Sequence, residues 1–194
     1  MTANTPPSTD ATGIDQTELE MLVSLAGSLF SEAKVTARVG GWRSAIVLIG
    51  ASIETGLLAT VGCMEHELRT RQLWPKRPLQ KLGLVELVGI AVQAGWLPES
   101  ATPDTTIAEP GLLTNGTLGD AIDFIRLMRN ALIHPGRHLS DFAWLDSASE
   151  EQMRPTYELC EGIAGEVFAR LEVTIVDDHR SSSLGKLVPH DHNN

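Results

Sequence analysis

Aromatic side chains make up only 5% of this 194-residue chain, and no proline interrupts its longest apolar runs. The core is therefore expected to be aliphatic and helical. Alternating apolar and polar residues are scarce as well, with Leu171–Val176 the one weak strand candidate. Cysteine is nearly missing. Cys63 and Cys160 lie far apart inside helical patterns, which excludes a disulfide framework or a metal knuckle and points to buried, reduced thiols. Basic residues are in deficit, 15 against 25 acidic ones, for a net charge of −10. Such a surface repels phosphate backbones and excludes broad, sequence-independent nucleic-acid binding. It leaves room for a small local basic site. Neither GxxxxGK followed by Ser or Thr nor GxGxxG occurs, and no nucleophile elbow or Cys–His pair stands out, so no nucleotide cofactor is expected. No metal is expected either. His190-Asp191-His192 sits in a polar tail without fixed geometry, with His179 in the same tail, and His66 reads as a surface residue.

The opening MTANTPPSTDATG has neither the basic nor the apolar region of a signal peptide, so a cytoplasmic location is expected. Residues 44–64 carry Glu54 as their only charge. A lone acid near a bilayer centre costs several kcal/mol. Gly50, Gly56 and Gly62 also suit close helix packing, so this stretch reads as a buried core helix and no membrane association is expected.

What is present organises into a helical domain over residues 15–175, between tails at 1–14 and 176–194 expected to be disordered. Asp15 caps the first helix with Glu18 three residues on. Leu19, Leu22, Val23, Ala26 and Phe30 mark its buried face, and Gly40-Gly41 ends it. A second, central helix is expected from Trp42 to Arg69, then a loop at Trp74–Pro78, then a third helix from Leu79 to Ala94 stopped by Gly95 and Pro98. Residues 98–116 hold three prolines and two glycines and form a long loop. A fourth helix starts near Thr117 and runs to Ile133. A connector over 135–146 is anchored by Phe142 and Trp144. The last helix occupies 148–172, with Pro155 in its first turn or bending it and an apolar stripe of Tyr157, Cys160, Ala164, Val167, Phe168 and Leu171. The expected architecture is an all-α, up-and-down bundle of about five helices.

Two residues do not fit a plain bundle. On the fourth helix Ile122, Ile125, Arg129, Leu132 and Ile133 share a face, which sets a guanidinium in an apolar stripe. Desolvating it alone costs several kcal/mol, so it needs an anionic partner or a phosphate. Glu54, among Val47, Ala51, Leu57 and Leu58, is the mirror-image oddity. The economical inference pairs Glu54 with Arg129 across two packed helices. His134 precedes Pro135, where the helix frays and a ring is accessible. Imidazole is suited to proton transfer at neutral pH. Asn130, one turn earlier, lies on the side of His134 and can orient the ring or a phosphate oxygen. Arg126, Arg137 and His138 complete a local basic cluster, a candidate RNA contact. These residue types also fit a plainer reading. A histidine near a helix C-terminus favours the dipole, and an arginine can be a structural ion-pair partner.

Over roughly residues 16–172 the chain resembles the HEPN superfamily of helical domains. The resemblance rests on the apolar helix with an internal glutamate (Ser44 to Leu58), on the middle helix ending Ala94-Gly95-Trp96-Leu97, and above all on Ile125-Arg126-Leu127-Met128-Arg129-Asn130-Ala131-Leu132-Ile133-His134-Pro135. In that family the arginine and histidine of Arg-x4-His line a ribonuclease site shared by two copies. The resemblance implies a homodimer and metal-independent RNA cleavage, with the ribose 2′-hydroxyl attacking the adjacent phosphate. His134 is the implied acid or base, Arg129 the charge stabiliser and Asn130 a positioning group. It also implies a toxin, phage-defence or stress-response setting with a protein antitoxin or regulator as partner. Some family toxins carry a tyrosine two residues after the histidine, a target for nucleotidylation; Gly136 stands there, which argues against that control. The family also includes non-catalytic members that dimerise or bind a partner or nucleotide, and that is the alternative expectation, since a fold does not dictate chemistry. A third is an unrelated bundle with a structural Arg–Glu pair.

Overall fold

The computed structural model describes residues 14–97, 118–134, 142, 144–145 and 147–185. Among them all regular structure is helical: α1 (Gln16–Arg38), α2 (Trp42–Cys63), α3 (Glu65–Thr70), a 3₁₀ turn (Leu79–Lys81), α4 (Leu84–Gln93), α5 (Leu118–Ile133) and α6 (Glu150–Gly185). The all-α bundle is thus observed, with α2 at its centre. α1, α4, α5 and α6 all pack on α2.

Small residues explain how so many helices reach one. A side-chain atom built on any of three α2 glycines collides with a different neighbour. At Gly50 it lies 2.9 Å from Cδ of Arg129 on α5, at Gly56 it lies 2.6 Å from the Phe168 ring on α6, and at Gly62 it lies 2.5 Å from Leu19 on α1. Six-residue steps turn about 240° round a helix, so the three notches face three directions. On the α1 side, Ala26, Ala33 and Ala37 are buried, and the buried Ser52 hydroxyl donates to the Ala26 carbonyl at 3.1 Å. α2 is the one described helix long and apolar enough to cross a membrane, and 61% of its apolar window is buried inside the bundle.

Local chemistry sets most of the ends. The Asp15 carboxylate accepts from the Glu18 amide at 2.8 Å, capping α1. Gly40 takes φ +84° just beyond its end, and Gly95 takes φ +79° after α4, where the Trp96 amide donates back to Ala91. Trp96 and Leu97 are then buried.

Several expectations need correction. The second helix does not run unbroken to Arg69. Met64 leaves helical geometry (φ −93°, ψ +20°) and separates α2 from α3, with no proline or turn sequence to announce it. The third helix starts at Leu84 rather than Leu79, because Glu86 reaches back to the Gly83 amide at 2.9 Å and sets the start there. Val23 is exposed, not part of the buried face of α1. Phe142 does anchor the connector, 6.2 Å from the Phe124 ring, but Trp144 is exposed and Leu145 is the second buried anchor. Pro155 sits past the first turn of α6, and α6 continues to Gly185, through the weak strand candidate and into the expected C-terminal tail. Cys63 is exposed, while Cys160 is buried. The expected N-terminal tail (but for Ile14), the 98–116 loop, and Thr117, Arg137, His138, His190 and His192 lie outside the described residues.

Candidate active site

α5 presents the motif. Ile122, Ile125 and Met128 are fully buried, which fixes the rotation of the helix about its axis. That rotation turns Arg129 toward α2. Its aliphatic shaft lies in the Gly50 notch, where the absence of a side chain admits Cβ, Cγ and Cδ. Its Nη1 then meets Oε2 of Glu54 at 2.5 Å. The pairing inferred from two misplaced charges is present. The site is part-buried, with 19% of the Arg129 side chain and 30% of Glu54 accessible. Nε of Arg129 is buried without a hydrogen-bond partner. One carboxylate therefore holds one edge of the guanidinium and leaves donor capacity over.

His134 lies at the other end of the motif. Its amide donates to the Asn130 carbonyl at 3.0 Å, the last bond of the helical ladder, and its ring is exposed. Asn130 is part-buried. The exposed end expected for His134 is observed. Ile133 is exposed too, so it does not belong to the buried stripe assigned to it; only Ile122 and Ile125 are fully buried, with Leu132 partly so. Arg126 is bound to Asp123 at 2.6 Å on its own helix, which offsets its charge as a contact for RNA.

Five residues on an ideal helix separate side chains by about 140° round the axis and about 7.5 Å along it. Arg129 faces α2, whereas Asn130 and His134, four apart, share the adjacent flank. By this spacing His134, one residue past the end of α5, starts from a different flank than Arg129. Among the described residues no cluster of His, Cys, Asp and Glu could hold a metal ion.

The sequence pattern did not reveal a groove of about 630 Å³ between α1, α2 and α6, lined by Val23, Phe30, Gly56, Gly165, Phe168 and Ile175 among others. Its walls are mainly apolar, with Thr60 and Glu172 the polar members, and include none of the motif residues. The spaced glycines of α2 were the available signal, but they read equally as helix-packing positions.

No family model, curated protein or solved structure matches the chain.

Proposed function

We propose that the chain is a HEPN-type endoribonuclease that cleaves RNA without a metal. The observation that carries this reading is the Arg129 guanidinium, held by Glu54 with 19% of its side chain still accessible, five residues before an exposed histidine. A preorganised cation in a part-dry setting stabilises developing phosphorane charge without reorganisation at the moment of reaction. In the proposed step the ribose 2′-oxygen forms a bond to phosphorus and the P–O5′ bond breaks. The 2′ proton passes to a base and the departing 5′-oxygen gains a proton, which leaves a 2′,3′-cyclic phosphate and a 5′-hydroxyl. His134 supplies the base or the acid, and Asn130 orients the ring or a phosphate oxygen. The start of Arg129 and His134 from different flanks makes a second copy part of the proposal. A homodimer sets the motifs face to face and supplies the missing partner group.

Purified protein incubated with RNA in excess chelator tests this. Cleavage that falls about 10²–10⁴-fold in His134→Ala and about 10²–10³-fold in Arg129→Ala supports it. Intact RNA with the wild-type chain overturns it.

The same separation favours a second reading, a non-catalytic helical module of the same family that dimerises or binds a partner or nucleotide. Here Arg129 and Glu54 serve as an interhelical clasp. The two readings separate on one result, since the module predicts bound but uncleaved RNA or nucleotide, or neither.

A further inference from the structure

Five of the eight large apolar side chains exposed among the described residues belong to α1 and its C-cap. Four of them form one line: Met21 is 66% accessible, Leu25 48%, Val35 57% and Val39 82%. With the exposed Ser28 and Glu32 they complete the series 21, 25, 28, 32, 35, 39, whose alternating four- and three-residue steps keep all six on one flank of a helix. This flank points away from the buried Ala26, Ala33 and Ala37 that seat α1 on α2. It is also separate from the motif, since α5 makes its contacts with α2, α4 and α6.

The chemistry of the line is symmetric about residue 30. Apolar residues occupy both ends and two polar residues the middle. Positions 21 and 39, 25 and 35, and 28 and 32 are equidistant from that centre. A twofold axis there lays a second α1 antiparallel on the first and opposes Met21 to Val39, Leu25 to Val35, and Ser28 to Glu32 of the partner copy. A hydroxyl then meets a carboxylate, donor to acceptor. Charge selects this direction. In the antiparallel arrangement each Glu32 faces a serine hydroxyl rather than a second carboxylate. A parallel pairing in register sets Glu32 against Glu32 and Glu18 against Glu18, and like charges at such a contact weaken it.

We propose that the outer face of α1 is a self-association surface, and that its occupant is the antiparallel α1 of a second copy. Six positions on one helix make a small interface, below the roughly 1,600 Å² of a standard one. The association is therefore weak and concentration-dependent. It goes beyond the nuclease reading and does not rest on it.

Sedimentation velocity of the full chain over a concentration series should show reversible association. Leu25→Glu combined with Val35→Glu should abolish it, or halve the assembly mass where the motif face also pairs. Both positions are exposed, so helicity and thermal midpoint should stay at wild-type values. A second test does not depend on those variants. In a Cys63→Ser background, which removes the exposed native thiol, Leu25→Cys mixed with Val35→Cys should give a mixed disulfide, and neither alone should cross-link. A wild-type chain monomeric up to its solubility limit overturns the proposal. So does an assembly mass unchanged in the double glutamate variant, or cross-linking of Leu25→Cys with itself.

Discussion

Glu54 and Arg129 show how far two misplaced charges can be read. Each stands in an apolar neighbourhood of its own helix, and a buried ion without a counter-ion is too costly to keep. The 2.5 Å contact between them is the consequence. Glu54→Gln removes the counter-charge and leaves a guanidinium whose Nε already lacks a partner. A loss of about 1–3 kcal/mol in denaturant unfolding is expected, together with reduced RNA cleavage. Unchanged stability and activity would break the link between the pair and the site. Gly50 was recognisable as a packing residue, yet its particular tenant was not, because a notch in a sequence does not name what fills it. An alanine there brings its Cβ to 2.9 Å from Cδ of Arg129. Overpacking of this kind costs about 1–3 kcal/mol, against about 1 kcal/mol gained in helix propensity. Gly50→Ala should therefore be slightly destabilising and should impair cleavage more than folding. Parallel melts and rate measurements check this.

Among the elements, α1 was legible because its cap, glycine stop and apolar periodicity agree, and α5 because its apolar periodicity runs up to a proline. The break at Met64 was not legible, because the backbone ladder crosses it: the Met64 amide donates to Thr60, and Leu68 donates to Met64. Arg43 was also missed as a structural tie. From the start of α2 its guanidinium donates to the carbonyls of Leu145 (3.0 Å) and Ala148 and pairs with Glu150 at 3.1 Å. The Glu150 carboxylate in turn accepts from the Arg43 amide at 3.3 Å, at a helix N-terminus that its Gly41 cap leaves without a side-chain acceptor. The link spans more than a hundred residues, so no local pattern reports it. Arg43→Ala should cost about 1–3 kcal/mol and lower the denaturant midpoint. A midpoint unchanged from wild type would show that the tie contributes nothing. On α6, burial pushes the Cys160 thiol from its ordinary 9.0 up to about 12. Burial, with Glu161 adding to it, pushes the Tyr157 hydroxyl from 10.0 up to about 12. Both groups are neutral when folded and ionise more readily when unfolded. Their contribution is complete below pH 9 and is lost progressively from there toward pH 12. Stability should fall across that window, and the fall should be shallower in Cys160→Ala. An equally steep fall in that variant would assign the effect to other groups.

The whole molecule is an acidic helical bundle arranged about one apolar helix, with a cationic motif on α5 at one side and an apolar line on α1 at another. Fold class was readable from periodicity and punctuation, since helices this regular leave a repeating trace in sequence. Assembly is less readable, because a surface pattern gains meaning only once the buried face is known, as with Val23, Met21 and Leu25. The nuclease reading needs Arg129 and His134 to act on one phosphate although they start from different flanks, and for that it calls on a second copy. The most direct measurement is the product of RNA incubated with the purified chain in excess chelator, alongside His134→Ala and Arg129→Ala. The account predicts fragments ending in a 2′,3′-cyclic phosphate and beginning with a 5′-hydroxyl, formed by the wild-type chain and nearly lost in both variants. Intact RNA with the wild type, or equal cleavage by all three proteins, would contradict it.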